Sequence, residues 1–213
     1  MPYFKNNKLN VLFIHIPKTG GSSIESYFSE NYEINLDEKS LCEYNFRIKK
    51  KLFNKNIHTS LQHMTYETMI KHENLFNIDH NNLIIFSVVR NPYDRAVSDL
   101  FFSQPSMTID HNKKNTFELL KKNIDENIDN HSLPQFKFLL NENGTINKNI
   151  VILHTENLKC EMCAMGWDNF NVFTNCNKHE KHNNYRDYLN DDSIKLINEY
   201  YERDFEIFGY DMI

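Results

Sequence analysis

FIHIPKTGGSSIESYF, residues 13–28, passes from an apolar run through a donor-rich turn into helical spacing. The apolar run, residues 9–16, is short and bounded by polar residues, which suits a buried central strand of a parallel sheet. Pro17 stops it. Lys18, Thr19, Gly20, Gly21, Ser22 and Ser23 follow without a break, and then Ile24, Tyr27 and Phe28 fall on one face of a helix over residues 22–30. The chain has only five glycines. Two side by side at a strand-to-helix turn imply that something approaches the main chain closely, since no Cβ stands in the way. The start of a helix presents N–H groups and the positive end of its dipole, so the expected occupant is an anion. The hydroxyls of Thr19, Ser22 and Ser23 add donors, and Lys18 adds a full charge.

The rest of the chain supplies more units of this kind. LIIFSVV, within residues 83–89, is the clearest second strand. Asn91-Pro92 breaks it and opens a helix over 93–102. Helices are also expected within 31–56, over 64–76, 117–128 and 134–140, with a turn at Asn143-Gly144 and a third strand over 150–154. A single C-terminal helix is expected over 193–208, capped by Asp191 or Asp192. Strands alternating with helices predict an α/β fold, a three-layer sandwich in which helices flank a parallel sheet. The 213 residues fit one domain, 1–213.

Composition narrows the partners. Hydrophobic residues make up 40% and aromatics 13%, enough for a substantial core. The net charge of −5 argues against bulk attraction to nucleic acid or an anionic membrane. The basic clusters at 47–51, 113–114 and 121–122 read as solvated faces. No stretch approaches the ~18 apolar residues of a membrane span, and the start lacks a small-residue cleavage site. With no targeting signal to read, the default location is cytoplasmic. Cys42, Cys160, Cys163 and Cys176 are too scattered for a disulfide framework. Cys160-x-x-Cys163 with Cys176 and His179 is the alternative zinc reading, but ordinary thiols are expected.

PKTGGSS after an apolar strand resembles the phosphosulfate loop of sulfotransferases that use 3′-phosphoadenosine 5′-phosphosulfate (PAPS), and more narrowly that of the carbohydrate sulfotransferases. The family's second motif, Arg-x-Pro-x-x-Arg-x-x-Ser, is matched by Arg90, Pro92, Arg95 and Ser98 in VVRNPYDRAVSDLFF. LPQFKFLLNENGTI, ILHTENL and the C-terminal KHNNYRDYLNDDSIKLINEYYERDFEIFGY are similar to later family segments, so the resemblance covers nearly the whole chain. It implies a P-loop-nucleotide-hydrolase-like fold. It also implies PAPS as co-substrate and a hydroxyl acceptor on a glycan. The loop residues 18–23 would hold the 5′-phosphosulfate, and Arg90 and Ser98 the 3′-phosphate; Lys181 and Tyr185 would lie in a loop over the nucleotide. Arginine at a strand's C-terminal end is where open α/β sheets hold ligands, and its planar fork suits phosphate. Arg95 reads equally as a ligand or as a structural cation.

Transfer needs in-line positioning, stabilisation of the leaving phosphate and a base for the hydroxyl proton. Lys18 is placed for the leaving group. Histidine is the natural base near neutral pH, and His63, between the two anion motifs, is the first choice. His58 is the reserve and Glu67 a third candidate. His15 reads as part of the core or as a support behind the site, His154 as structural, and His179 and His182 as solvent-facing. The family's lysine before the histidine is replaced here by Gln62. No metal is expected. Two other classes stay in view. A P-loop kinase or hydrolase would need lysine after the glycine pair, and here Lys18 precedes it. The other is a relative that binds the nucleotide without catalysis.

Overall fold

The computed structural model describes residues 1–35, 46–103, 113–170 and 184–213. Its sheet runs in the order β1 (Tyr3–Lys5), β2 (Asn10–Ile14), β3 (Ile84–Val89) and β4 (Ile150–His154). The strands β2, β3 and β4 are parallel, with Phe13 opposite Phe86 and Ser87 opposite Ile152. β1 pairs antiparallel with β2. That edge corrects the all-parallel sheet expected above, and its cause is local. Asn6 Oδ1 accepts from the Lys8 N–H at 2.8 Å, and the Asn6 N–H donates to the Leu9 carbonyl at 2.9 Å, closing a hairpin too tight for any crossover.

Both sheet faces are buried, as side-chain alternation requires. Leu12, Ile14 and Ile16 face one core with Val89, Phe138 and Ile150. Val11, Phe13, Phe86, Val88 and Leu153 face the other. The second core is covered by α1 (Gly21–Asn31) through Ile24, Tyr27 and Phe28, and by Met162 of α6 (Leu158–Ala164). The first is covered by Leu52 of α2 (Phe46–Phe53) and Met69 of α3 (Tyr66–Lys71). A third cluster joins Tyr93, Val97 and Leu100 of α4 (Pro92–Ser103) to Leu120 of α5 (Lys114–Glu126). Ile197 of α7 (Asp191–Tyr200) and Phe205 of α8 (Glu202–Phe208) complete it. Among the described residues no helix is long and apolar enough to cross a membrane.

Three other expectations need adjusting. The C-terminal helix is two helices, because Tyr201, at φ −107° and ψ 18°, separates α7 from α8. Its cap is Asn190, in extended backbone, whose Oδ1 accepts from the Ser193 N–H at 2.8 Å. Asp191 and Asp192 instead occupy the first turn, where the dipole favours them. The 134–140 segment is a 3-10 turn, Gln135–Leu139. The buried Asp204 carboxylate accepts its first two N–H groups, Gln135 at 2.7 Å and Phe136 at 2.9 Å.

Candidate active site

The turn between β2 and α1 is held from behind. Arg95 Nε donates to the Pro17 carbonyl at 3.0 Å, Arg90 Nη1 to the Lys18 carbonyl at 3.2 Å, and Thr155 Oγ1 to the Thr19 carbonyl at 2.8 Å. A trans peptide places N–H opposite C=O, so the Lys18, Thr19 and Gly20 N–H groups point away from these donors. Lys18 and Gly20 both have positive φ, 68° and 94°; alternation of this kind makes a concave nest of N–H groups that suits an anion. The two glycines serve different ends. Gly20 takes the left-handed conformation at the helix cap. Gly21 makes room for a side chain of the same protein: a Cβ there would lie 2.1 Å from His15 Nε2. The close approach inferred from the sequence is therefore, at Gly21, that of an imidazole. Thr19 is also turned inward, its hydroxyl donating to the Ile16 carbonyl at 2.8 Å, which leaves its N–H as what it offers a ligand. Ser22 and Ser23 lie half-buried in the first turn of α1.

Two cations converge on this turn. Burial lowers the Lys18 ammonium below its ordinary value; Asp99 opposes the shift and Arg90 adds to it. Burial also pulls the Arg90 guanidinium down, against Asp94 and Glu156. An anion beside either cation would offset its burial, since it favours the charged form. Arg90 is set by its main chain: its N–H donates to Gln135 Oε1 and its carbonyl accepts from Gln135 Nε2, both at 2.9 Å. Arg95 resolves as structural. It is buried, and besides Pro17 it donates to the His131 carbonyl at 2.7 Å. Ser98 lies half-buried on α4. Tyr185 stacks on Tyr93, centroids 5.2 Å apart, and Lys181 lies outside the described residues, as do Cys176, His179 and His182.

Three histidines form a chain beside the turn. His15 and His63 meet edge to face with centroids 5.0 Å apart, and His63 and His131 likewise at 5.1 Å. His131 stacks on Phe102 at 4.9 Å, and Lys18 Nζ lies 4.4 Å from the centre of that ring. Each imidazole is backed by a carboxylate on Nδ1: His15 by Glu25 at 2.7 Å, His63 by Asp129 at 2.7 Å, His131 by Asp99 at 2.6 Å. Burial pushes the His63 pKa down to about 4, overriding the hydrogen bond to Asp129 that raises it. Asp129 is itself held below the usual carboxylate range: burial raises it, but its bonds to His63 and to the Ser60 N–H prevail. An ionised carboxylate only accepts, so the neutral ring carries its hydrogen on Nδ1 and leaves a lone pair on Nε2. That is the protonation state of a ready base. Gln62 joins this region to α1, its Nε2 donating to both Glu25 oxygens, at 2.7 and 2.6 Å.

His63, His131, Phe102, Asp99 and Asp129 border a cavity of about 460 Å³. The other base candidates stand apart from it. His58 is exposed and packs on Phe53, and Glu67 pairs on the surface with Lys71 at 2.5 Å. His154 bonds Glu161 at 3.3 Å. Sequence reasoning passed over His131, Asp99 and Asp129; no spacing ties His131 to a carboxylate 32 positions away. His63, Asp129 and His131 also bring one ligand atom each within 4.8 Å of one another, a geometry able to hold a metal ion. The CxxC cysteines on α6, Cys160 and Cys163, are free and exposed.

The family model described as Sulfotransferase family matches residues 1–211. No curated protein and no solved structure matches the chain.

Proposed function

Because the chain belongs to the sulfotransferase family, we propose that its 213 residues form one catalytic domain that moves a sulfuryl group from PAPS to an acceptor hydroxyl on a carbohydrate. The observation that carries this reading is the convergence of Lys18 and Arg90, both lowered by burial, on a turn whose carbonyls are tied back. The 5′-phosphosulfate lies over the N–H groups of the turn and the start of α1, with Lys18 at the oxygen that bridges phosphorus and sulfur. Arg90 and Ser98 take the 3′-phosphate.

The acceptor enters the cavity beside Phe102. Its oxygen attacks sulfur in line, its proton passes to His63 Nε2, and the sulfur–oxygen bond to the 5′-phosphate breaks. The charge left on that phosphate is met by Lys18 and the loop N–H groups. Asp129 holds the imidazole and favours its protonated form once the proton arrives. Arg95 and Gln62 act through others, fixing the turn against the histidine wall.

The test is transfer of labelled sulfuryl from PAPS to a panel of sugars, phenols and lipid alcohols. Label should reach an acceptor with wild-type protein and fall by about a hundredfold or more in Lys18→Ala. Nucleotide binding without transfer to any acceptor would mark a non-catalytic relative, and failure to bind the nucleotide would overturn the reading.

A further inference from the structure

Two imidazoles of the histidine wall share their space with a carboxylate. One nitrogen each of His63 and His131 and one oxygen of Asp129 lie within 4.8 Å of one another, and all three residues line the cavity of about 460 Å³. Two histidines and an aspartate are donors that divalent first-row ions accept, with further coordination positions left open to solvent or substrate. Bonds of ~2.0–2.2 Å would draw the three atoms to roughly 3–4 Å of one another, a small contraction for side chains at the edge of a cavity.

The main chain of each donor is already fixed. The His63 N–H donates to Ser60 Oγ at 3.2 Å, and its carbonyl accepts from Asn130 Nδ2 at 3.0 Å. Arg95 Nη2 donates to the His131 carbonyl at 2.7 Å. Asp129 stands in left-handed backbone, φ 52° and ψ 35°, held there by the Ser60 N–H on its Oδ1 at 2.5 Å. Asp129 still has acceptor sites to spare, since a carboxylate offers about four. His131 is set as metal-bound imidazoles are, one ring nitrogen on a carboxylate and the other free: its Nδ1 bonds Asp99 Oδ1 at 2.6 Å, and no described residue bonds its Nε2. Lys18 does not bar a cation here, because its Nζ lies on the Phe102 ring and the site has two carboxylates, Asp99 and Asp129, around it.

We infer that His63, Asp129 and His131 form a binding site for a divalent transition ion, for which zinc is the probe, and that the bound ion shuts the active site. Either nitrogen of His63 gives this result. Coordination at Nε2 takes the lone pair that would receive the acceptor's proton. Coordination at Nδ1 leaves the ring's one hydrogen on Nε2, which then only donates. The effect on turnover rests on the transferase reading above, whereas the site itself rests on the geometry.

The experiment titrates cobalt(II), then zinc(II), into wild-type protein. Cobalt reports its ligands through visible absorption, and binding by Cys160 and Cys163 would add a thiolate charge-transfer band in the near ultraviolet. One cobalt per chain is expected, without that band and displaced by zinc. Zinc should raise the wild-type Tm, as a ligand of the native state does. Asp99→Asn should weaken binding about 10- to 100-fold, the usual cost of losing a partner behind a ligand, and His131→Ala or Asp129→Ala by more. Zinc should abolish sulfuryl transfer with a midpoint that matches its measured Kd, and a chelator should restore it. Should a variant fail to fold, the wild-type stoichiometry and spectrum decide. The site is overturned if wild type binds no cobalt, if the thiolate band appears, or if folded His131→Ala and Asp129→Ala bind as tightly as wild type. Full transfer by zinc-loaded protein would overturn the shut-off. Cobalt binding at the site in a protein that transfers sulfuryl to no acceptor would uphold the site and count against the transferase reading.

Discussion

The donor turn is built from one continuous segment, residues 17–23, whereas the histidine wall opposite is assembled from distant ones. His15 comes from the end of β2, His63 from the loop before α3, and His131 from the loop after α5, each with its carboxylate brought by another part of the chain. A continuous loop can place N–H groups by its own dihedral angles. A wall of imidazoles needs tertiary contacts to fix ring, tautomer and direction at once. The two halves should therefore fail differently. Damage to the wall should abolish chemistry and spare nucleotide binding, while damage to the turn should cost binding and stability together.

The largest separation should come from His63→Ala. Its kcat should fall about 10²- to 10⁴-fold, the usual contribution of a positioned base, with affinity for 3′-phosphoadenosine 5′-phosphate within about twofold of wild type. Equal losses in both would merge the two halves. Next is pH. The folded imidazole takes a proton only near about 4, against an ordinary value of 6.5. Between those values the unfolded chain binds more protons, so stability is full above 6.5 and is lost as pH falls through the window. His63 should account for about 3 kcal/mol of the wild-type decline, and Asp129, also held low, acts with the same sign. Denaturant titrations of wild type and His63→Phe check it. A slope unchanged in the variant would place the titration elsewhere.

The smallest effect tests the turn. Gly21→Ala should cost about 1–3 kcal/mol, as overpacking does, and weaken nucleotide binding. The companion change His15→Ala should return part of both, since the clash is with that ring. A Gly21→Ala protein of wild-type stability would show that the glycine answers to something other than His15.

The same contrast explains what could be read in advance. The strands over 84–89 and 150–154, the turn and the start of α1 lie within a residue or two of expectation, because short-range period and breaker residues specify them. Arg90 and Pro92 were legible as strand end and helix start for the same reason. β1 was not, since three residues show no alternation and only pairing with β2 makes them a strand. Asn190 was overlooked as a cap because the acidic pair beside it is an equally good signal until backbone conformation decides. Asp129 could not be paired with His63 across 66 positions, and the purpose of Gly21 became visible only when His15 lay against it. In this chain the residues proposed to hold an anion announce themselves locally, while those proposed to move a proton are collected by the fold.

The central claim is that Arg90 distinguishes a 3′-phosphorylated nucleotide bound at the turn. Calorimetry of wild-type and Arg90→Ala protein with 3′-phosphoadenosine 5′-phosphate and with adenosine 5′-phosphate tests it most directly. Wild type should prefer the bisphosphate by about tenfold to a hundredfold, the worth of a charged hydrogen-bonded contact, and Arg90→Ala should bind the two alike. Equal binding of both nucleotides by wild type, or an undiminished preference in Arg90→Ala, would contradict it.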